Sequence, residues 1–223
     1  MTNYELKNIS PEDIEDLLVK VERSFDLNFD DSELIHIRTF GELCDHITHK
    51  IQLENTDDCT SQQAFYKLRN AIAFTQKIDR KTIATTNSLD VIFPKKNRRT
   101  QIRKLEEYLD FKINILRPPH WVTWTLLFLF MVSCLVLFLN WKIGISGLIV
   151  CLVGARLSDT FGNEINVQTV GQLAHKITRE NYLKSRRNPK TYNKNEIEKV
   201  LIDWFSNDLD LDKSKLTRET KFS

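Results

Sequence analysis

The sequence lacks several features by which protein classes are recognised. Only four cysteines are present among 223 residues, and two of them lie in a long apolar run, so there is no disulfide framework. The first residues, MTNYELKNISPEDIEDLL, are polar and acidic, whereas a secretory signal peptide begins with basic residues and an apolar run. The chain has 32 basic and 30 acidic side chains, so its net charge alone indicates no charged partner.

Catalytic patterns are also missing. The sequence contains no nucleophile–base–acid set, no glycine-rich phosphate loop and no paired carboxylates in an apolar setting. The cluster of Cys44, His46, His49 and Cys59 raises the alternative of a zinc site, but its spacing fits no standard zinc pattern. We therefore expect a protein that is not an enzyme and that holds no metal.

The charges are unevenly distributed along the chain. Residues 1–58 carry 5 basic and 15 acidic side chains, whereas residues 59–117 carry 13 basic and 5 acidic ones. An acidic half beside a basic half indicates either mutual attraction or two different partners.

The long apolar run predicts a transmembrane hairpin over residues 119–157. Residues 121–140, WVTWTLLFLFMVSCLVLFLN, are uncharged and would extend about 30 Å as a helix, which matches a bilayer's hydrocarbon core. A second span follows at about 143–157. Interfacial tryptophans and small residues for close helix contact accompany the two spans: Trp121, Trp124, Trp141, Gly144, Gly147 and Gly154. The alternative is a hairpin buried in a soluble protein.

The flanking charges predict the orientation of this hairpin. Basic residues are frequent before residue 119 and after residue 155, whereas the turn contains only Lys142. Since basic loops stay on the cytoplasmic side, both termini should be cytoplasmic, in an inner or plasma membrane. The cysteines outside the membrane would then be reduced thiols.

Helical periodicity dominates the soluble segments, so we predict the all-α class. Residues 11–25 form one apolar stripe, with Ser10 as the N-cap and Pro11 in the first turn. Thr39 and Glu42 predict a capping box at the start of another helix. Further helices are expected near 61–73, 95–109 and 169–177, and a last one is expected with Asn195 as its cap.

One short phrase occurs twice, as IRTFGELCDHI at 37–47 and VQTVGQLAHKI at 167–177. The stretch from Ser10 to the end of the first phrase resembles the second half of an acyl carrier protein: an acidic helix, an extended turn, a small third helix and a last helix. The matching apolar and turn positions are Phe25, Leu27, Phe29, Ile37, Thr39, Gly41, Leu43 and Ile47.

The resemblance implies two small acyl-carrier-like bundles plus the hairpin. Residues 195–223 resemble the family's first helix and loop, and Leu6 and Ser10 have the spacing of its Leu and Ser, so 1–58 plus 191–223 would form one permuted bundle. Residues 59–117 plus 158–185 would form the second, with the hairpin inserted. Generic helices that happen to align are the alternative. The first scheme predicts that residues 196–207 pack on 12–25, with Trp204 and Phe205 contributing to a core with Leu18 and Val21.

The resemblance also implies candidate sites in the first bundle. The family attaches phosphopantetheine to a serine, and the matching residue is Ser10, although Ile9 and Pro11 replace the family's Asp and Leu. A plain helix N-cap explains Ser10 as well. Carriers dock basic enzymes through acidic side chains, for which this chain offers Glu12, Asp13, Glu15, Asp16 and Glu22. The second bundle has no equivalent serine.

A basic strip precedes the hairpin, formed by Lys95, Lys96, Arg98, Arg99 and Arg103. Anionic lipid headgroups are the expected neighbours of such a strip, and a solvated face is the alternative. Nucleic acid is not expected, because no base-stacking motif accompanies the charges.

These patterns together predict a membrane-anchored, cytoplasm-facing, acyl-carrier-like protein that acts as a non-catalytic binding or scaffold module. Its partners would be the membrane and acyl-transfer or other proteins. The alternatives are a tethered carrier that bears phosphopantetheine on Ser10 and a scaffold on anionic lipid surfaces.

Overall fold

The protein is described by a computed structural model covering residues 9–222, and Leu6 lies outside that range. Helices make up 63% of the chain, and the described strands are only two residues long. The predicted all-α class is therefore confirmed.

The elements follow one another along the chain with short connections. The helices are α1 (Pro11–Phe25), α2 (Asp31–Leu34), α3 (Phe40–Lys50), α4 (Thr60–Gln76), α5 (Leu89–Ile92), α6 (Arg98–Leu109), α7 (His120–Leu137), α8 (Trp141–Phe161), α9 (Val170–Glu180), α10 (Tyr182–Ser185) and α11 (Lys194–Asp208). The strands are β1 (Glu54–Asn55), β2 (Leu116–Arg117), β3 (Glu164–Ile165) and β4 (Thr191–Tyr192), with β1 parallel to β4 and β2 antiparallel to β3.

Local capping chemistry explains where the first helices begin and end. The Ser10 hydroxyl accepts a hydrogen bond from the Asp13 backbone N–H, and Pro11 occupies the first helical position. Helix α1 ends at Asp26, whose φ of 52° is left-handed. The predicted capping box at α3 is confirmed, because Thr39 and Glu42 each bond to the other's backbone N–H.

The start of α11 differs from the prediction. Asn193, rather than Asn195, is the N-cap, and its side chain accepts the Asn195 N–H at 3.0 Å. Asn193 has an extended backbone, as a cap requires, so the helix begins two residues earlier than its charged first turn suggested.

Contacts divide the chain into two compact units. Unit 1 comprises residues 1–71 and 173–223, and unit 2 comprises residues 72–172. The boundaries fall inside α4 and α9, which the sequence analysis assigned to the second bundle. Unit 1 therefore combines segments from both ends of the sequence.

The core of unit 1 joins α1, α3 and α11. The predicted packing of the last helix on the first is confirmed, since Leu18, Val21, Trp204 and Phe205 belong to one buried apolar cluster. The Phe205 ring meets the Phe40 ring edge-on, with centroids 5.2 Å apart. Burial of the apolar side chains of these three helices, two of which are far from the third in the sequence, stabilises unit 1.

A buried arginine links the connecting segments of unit 1. The Arg186 side chain is fully buried, and the carboxylate of Glu196 lies 3.9 Å from its Nη1. Its guanidinium donates to the hydroxyls of Thr56, Thr60 and Thr191 and to the Asp58 carbonyl. Glu196 also accepts a hydrogen bond from the backbone N–H of Thr60 at 3.0 Å, so the carboxylate that lies near Arg186 also caps the start of α4. A buried charge requires such multiple partners.

The loop after α11, which we call return loop 1 (residues 210–222), pairs with the start of α3. It begins with a left-handed Asp210, and Leu216 fills the core. The Gly41 N–H donates to the Arg218 carbonyl at 2.9 Å. A Cβ at Gly41 would lie 2.8 Å from that carbonyl oxygen, so this close approach requires glycine.

The loop after α4, return loop 2 (residues 77–89), repeats this geometry inside unit 2. It begins with a left-handed Lys77, and Ile83 is buried. The Gly171 N–H donates to the Thr85 carbonyl at 2.8 Å, and a Cβ at Gly171 would lie 3.0 Å from that oxygen. The phrase that occurs twice in the sequence therefore has the same conformation and the same type of backbone partner in both places.

The two apolar helices of unit 2 pack closely along a small-residue face. A Cβ at Gly147 would collide with the Ser133 hydroxyl, and one at Gly154 would lie 2.9 Å from a Leu126 methyl. The predicted close contact at these glycines is confirmed. Helix α8 is longer than the predicted span and continues to Phe161.

We expect Arg186→Met to destabilise the protein, because the buried hydroxyls of Thr60 and Thr191 and the partly buried Glu196 carboxylate would lose their cation. Breaking such a buried pair costs about 3–5 kcal/mol, which corresponds to a fall in Tm of roughly 10 °C or more. Thermal unfolding of the detergent-solubilised chain measures this change.

Arg187→Met is the matched control, since Arg187 is the next residue and its side chain is exposed. Its Tm should stay within about 2 °C of the wild type. Equal losses in the two variants would show that the buried network does not stabilise unit 1.

Candidate functional site

Ser10 lies at the amino terminus of α1, as the sequence predicted. Its hydroxyl is half-buried, accepts from the Asp13 N–H at 3.2 Å and donates to the Asp13 carboxylate at 2.9 Å. The helix dipole at this end favours a negative group, and Asp13 already supplies one. The geometry is that of an N-cap with both hydrogen-bonding roles of the hydroxyl in use.

Four of the five predicted docking carboxylates form an exposed acidic face on α1. Glu12, Glu15 and Asp16 are exposed and have no side-chain partner within residues 9–222, while Asp13 contacts only Ser10. Charges that are exposed and unpaired remain available to a basic partner. The sequence therefore correctly predicted that these four side chains are exposed.

Glu22 has a different environment from the other four. It is half-buried, and its carboxylate accepts the backbone N–H of Phe29, which closes the turn after α1. Glu106 does the same for Ile113 after α6, at 2.9 Å. The shared spacing shows that these glutamates hold the equivalent turn of each unit, which explains Glu22 without a partner protein.

Arg98 does not belong to the exposed basic strip, and its assignment to a lipid-facing surface is wrong. The side chain is 1% exposed. It donates to the Phe93 carbonyl at 2.8 Å, to the Asn163 carbonyl at 2.8 Å and to the Asp90 carboxylate at 2.5 Å. Arg98 thus holds α5, the start of α6 and the segment after α8 together.

The other strip residues surround the base of the hairpin, the part of unit 2 from which α7 and α8 leave. Lys95 pairs with Glu164 at 2.7 Å, which lowers the pKa of that exposed carboxyl group. Arg99 donates to the Thr160 carbonyl at 2.7 Å, and its guanidinium lies 5.0 Å from the centre of the Phe161 ring. Lys96 and Arg103 are exposed.

Backbone contacts complete this base. Strands β2 and β3 pair directly before α7 and after α8. A Cβ at Gly162 would lie 2.5 Å from the carbonyl carbon of Arg117, so the two chain segments touch there. The Asn163 amide donates to the Lys95 carbonyl at 2.9 Å. The two ends of the hairpin are therefore joined to each other, and the segment after α8 is also bonded to the turn before α6.

The hairpin itself exposes a large apolar surface. Both α7 and α8 are long and apolar enough to cross a membrane, and only 6% and 11% of their apolar windows are buried. Trp121, Phe128 and Phe138 are 71%, 71% and 90% exposed. A core hairpin of a soluble protein would be mostly buried, so this surface is an apolar binding surface of unusual size.

The candidate zinc residues are not brought together. Cys44 is buried in the core of unit 1, where burial raises the pKa of its thiol to about 12, whereas Cys59 is exposed. His46 contacts Glu33 at 3.3 Å, and His49 bonds to the Asp45 carbonyl in its own helix. Within residues 9–222, no three potential ligands are grouped as a metal ion requires.

An open pocket of about 470 Å³ lies in unit 2, between the end of α4 and the first half of α6. Its lining consists of hydroxyl, amide and ammonium groups, including those of Thr100, Gln101, Lys77 and Lys104. Such groups suit an anion better than an apolar ligand.

Sequence reasoning missed the two buried arginines, Arg98 and Arg186. Arg98 was assigned to the exposed strip and Arg186 was not singled out, because nothing in their local pattern distinguishes them from exposed neighbours such as Arg99 and Arg187. Their partners come from segments far apart in the sequence. Only the fold brings these groups together.

Comparisons with protein families, with curated proteins and with solved structures gave no match to this chain.

The two cysteines of unit 1 should differ sharply in reactivity. Because burial raises the pKa of the Cys44 thiol to about 12, this thiol stays protonated at pH 8. Cys44 should therefore react with iodoacetamide at least about a hundredfold more slowly than the exposed Cys59. Peptide mass mapping after timed labelling measures both rates. In denaturant the two rates should converge, and equal rates in the native protein would contradict the packing of α3.

Proposed function

We propose that this chain is a two-pass integral membrane protein of an inner or plasma membrane, with both termini in the cytoplasm. The observation that carries this proposal is the exposed apolar surface of α7 and α8, which only a bilayer or a large apolar partner would cover. The single basic residue in the turn, Lys142, contrasts with the cationic base and supports the orientation.

The soluble parts are proposed to act as a non-catalytic binding or scaffold module. Support comes from the exposed acidic face of α1, whose side chains are free to attract a basic protein. The repeated return-loop geometry supports two related bundles, of which one carries the hairpin as an insertion. Partners with acyl-transfer roles remain the ones that the acyl-carrier resemblance implies.

The acyl-carrier resemblance is retained as part of the proposal. In the permuted order, α11, α1, the four-residue α2 and α3 correspond to the family's first helix, acidic helix, small third helix and last helix. The Ser10 hydroxyl serves as the N-cap of α1. This supports a bundle that keeps the helix arrangement of the carrier family and uses its serine as a cap.

Membrane insertion is tested on sealed inner-membrane vesicles. The protein should resist extraction by alkaline carbonate, and reporters fused to either end should both be reached by protease from the cytoplasmic face only. Replacement of Phe128 by Asp should make the chain extractable, whereas replacement of the exposed Lys194 of unit 1 by Asp is the matched control and should not. Carbonate release of the wild type, or reporters on opposite faces, would reject the proposal.

Modification of Ser10 is tested by intact mass after co-expression with a phosphopantetheinyl transferase. We expect no added arm, because the hydroxyl is engaged with Asp13. Ser88→Ala serves as the control, since Ser88 is also the N-cap of a helix but is exposed and makes no side-chain cap bond. An arm that is lost in Ser10→Ala and kept in Ser88→Ala would establish the tethered carrier instead.

A further inference from the structure

We infer that a cationic flank, formed by Arg99 and Arg103 of α6 and by Lys96 in the turn before it, binds the headgroups of anionic phospholipids at the base of the hairpin. This inference rests on the proposed membrane insertion of α7 and α8, and it names the partner of that surface. It commits to lipid phosphate in the same bilayer rather than to a soluble anion.

Two of the three cations share one side of α6. Arg99 and Arg103 are four residues apart in the helix, and Lys96 lies in the turn just before it. The residues that face the core are Arg98, Ile102, Leu105 and Leu109, all buried. The flank is therefore separate from the packed side of the helix, and its three members are exposed.

Arg99 shows where this flank lies along the length of the hairpin. Its Nη2 donates to the Thr160 carbonyl at 2.7 Å, and its guanidinium stacks on Phe161, the last residue of α8. Helix α8 has 21 residues, about 31 Å, so the end that reaches Arg99 lies at the rim of a hydrocarbon core that the helix crosses. The flank then lies in the headgroup layer.

The charges at this level are largely free. Lys96, Arg103, Arg117 and Arg156 are exposed, and their side chains make no hydrogen bond or ion pair with any residue of 9–222. Lys95 is the exception, because Glu164 neutralises it. Arg117 directly precedes α7, and Arg156 lies one turn before Thr160. Free cations of both helix ends thus join those of α6.

Phosphate is the chemistry that fits this arrangement. Guanidinium groups bind phosphate oxygens through two donors at once, and ammonium groups add charge. Near an anionic bilayer each basic residue strengthens binding about fivefold. An acidic protein surface, such as α1 of a second copy, has the same sign of charge, and the experiment below separates it from lipid.

The test uses the full chain in nanodiscs of equimolar phosphatidylcholine and phosphatidylglycerol. Lipids that remain bound after mild detergent extraction are counted by native mass spectrometry. We expect phosphatidylglycerol to be enriched among the retained lipids. K96Q/R103Q should reduce that enrichment by about 25-fold, or about fivefold for each cation removed. K96R/R103K keeps the charges and should keep the enrichment.

The control is K142Q, which removes the cation at the opposite end of the hairpin and should change nothing. Circular dichroism checks that the variants remain folded, as expected because all three substituted side chains are exposed. If wild type retains the two lipids equally, or if K96Q/R103Q retains phosphatidylglycerol as the wild type does, the inference is overturned.

Two further outcomes are decisive. Salt-sensitive self-association of the wild type in purely zwitterionic nanodiscs, abolished by K96Q/R103Q and unaccompanied by lipid enrichment, would assign the flank to an acidic partner surface instead. Failure of the chain to enter nanodiscs at all would reject the proposed membrane insertion, which is a separate result from entry without lipid selectivity.

Discussion

The buried guanidinium of Arg98 is the constraint on which the functional architecture depends. It bonds to Asp90, to the carbonyl that ends α5 and to the Asn163 carbonyl after α8, so one side chain joins the return-loop side of unit 2 to the exit of the hairpin. A buried cation is stable only with all of its partners in place. Arg98 therefore joins the start of α6 to the segment that leaves the hairpin.

Local signals predicted much of this fold. The caps at Ser10 and Thr39, the apolar stripe of α1 and the close-contact glycines of α8 are all encoded within a few residues, where propensity and capping act. Burial of charge was not predictable in the same way. Arg98 and Arg99 are adjacent and of one type, yet Arg98 is buried and Arg99 is exposed. The environment of Arg98 includes the Asn163 carbonyl, which is 65 residues away and enters only through the fold.

The segment that occurs twice, at residues 37–47 and 167–177, has the same local structure in two units with different surfaces. At Gly41 a return loop passes so closely that a Cβ would collide with a carbonyl oxygen, and at Gly171 a Cβ would make an unusually tight contact with one. Around this shared contact the surfaces differ: α1 of unit 1 is acidic, whereas α6 of unit 2 is basic. Packing preserves the turn, while exposed positions are free to change charge, since they make few contacts.

The discontinuity of unit 1 bears on the order of events during synthesis. Residues 72–172 contain all of unit 2 and emerge from the ribosome as one stretch, so unit 2 can fold before α11 is synthesised. The packing of α1 and α3 is completed only after α11 and the loop behind it have emerged, because contacts such as that of Asp45 with Arg218 join residues 173 positions apart. Until then the apolar stripes of α1 and α3 lack their partner, so this interval is when unit 1 is most prone to aggregation.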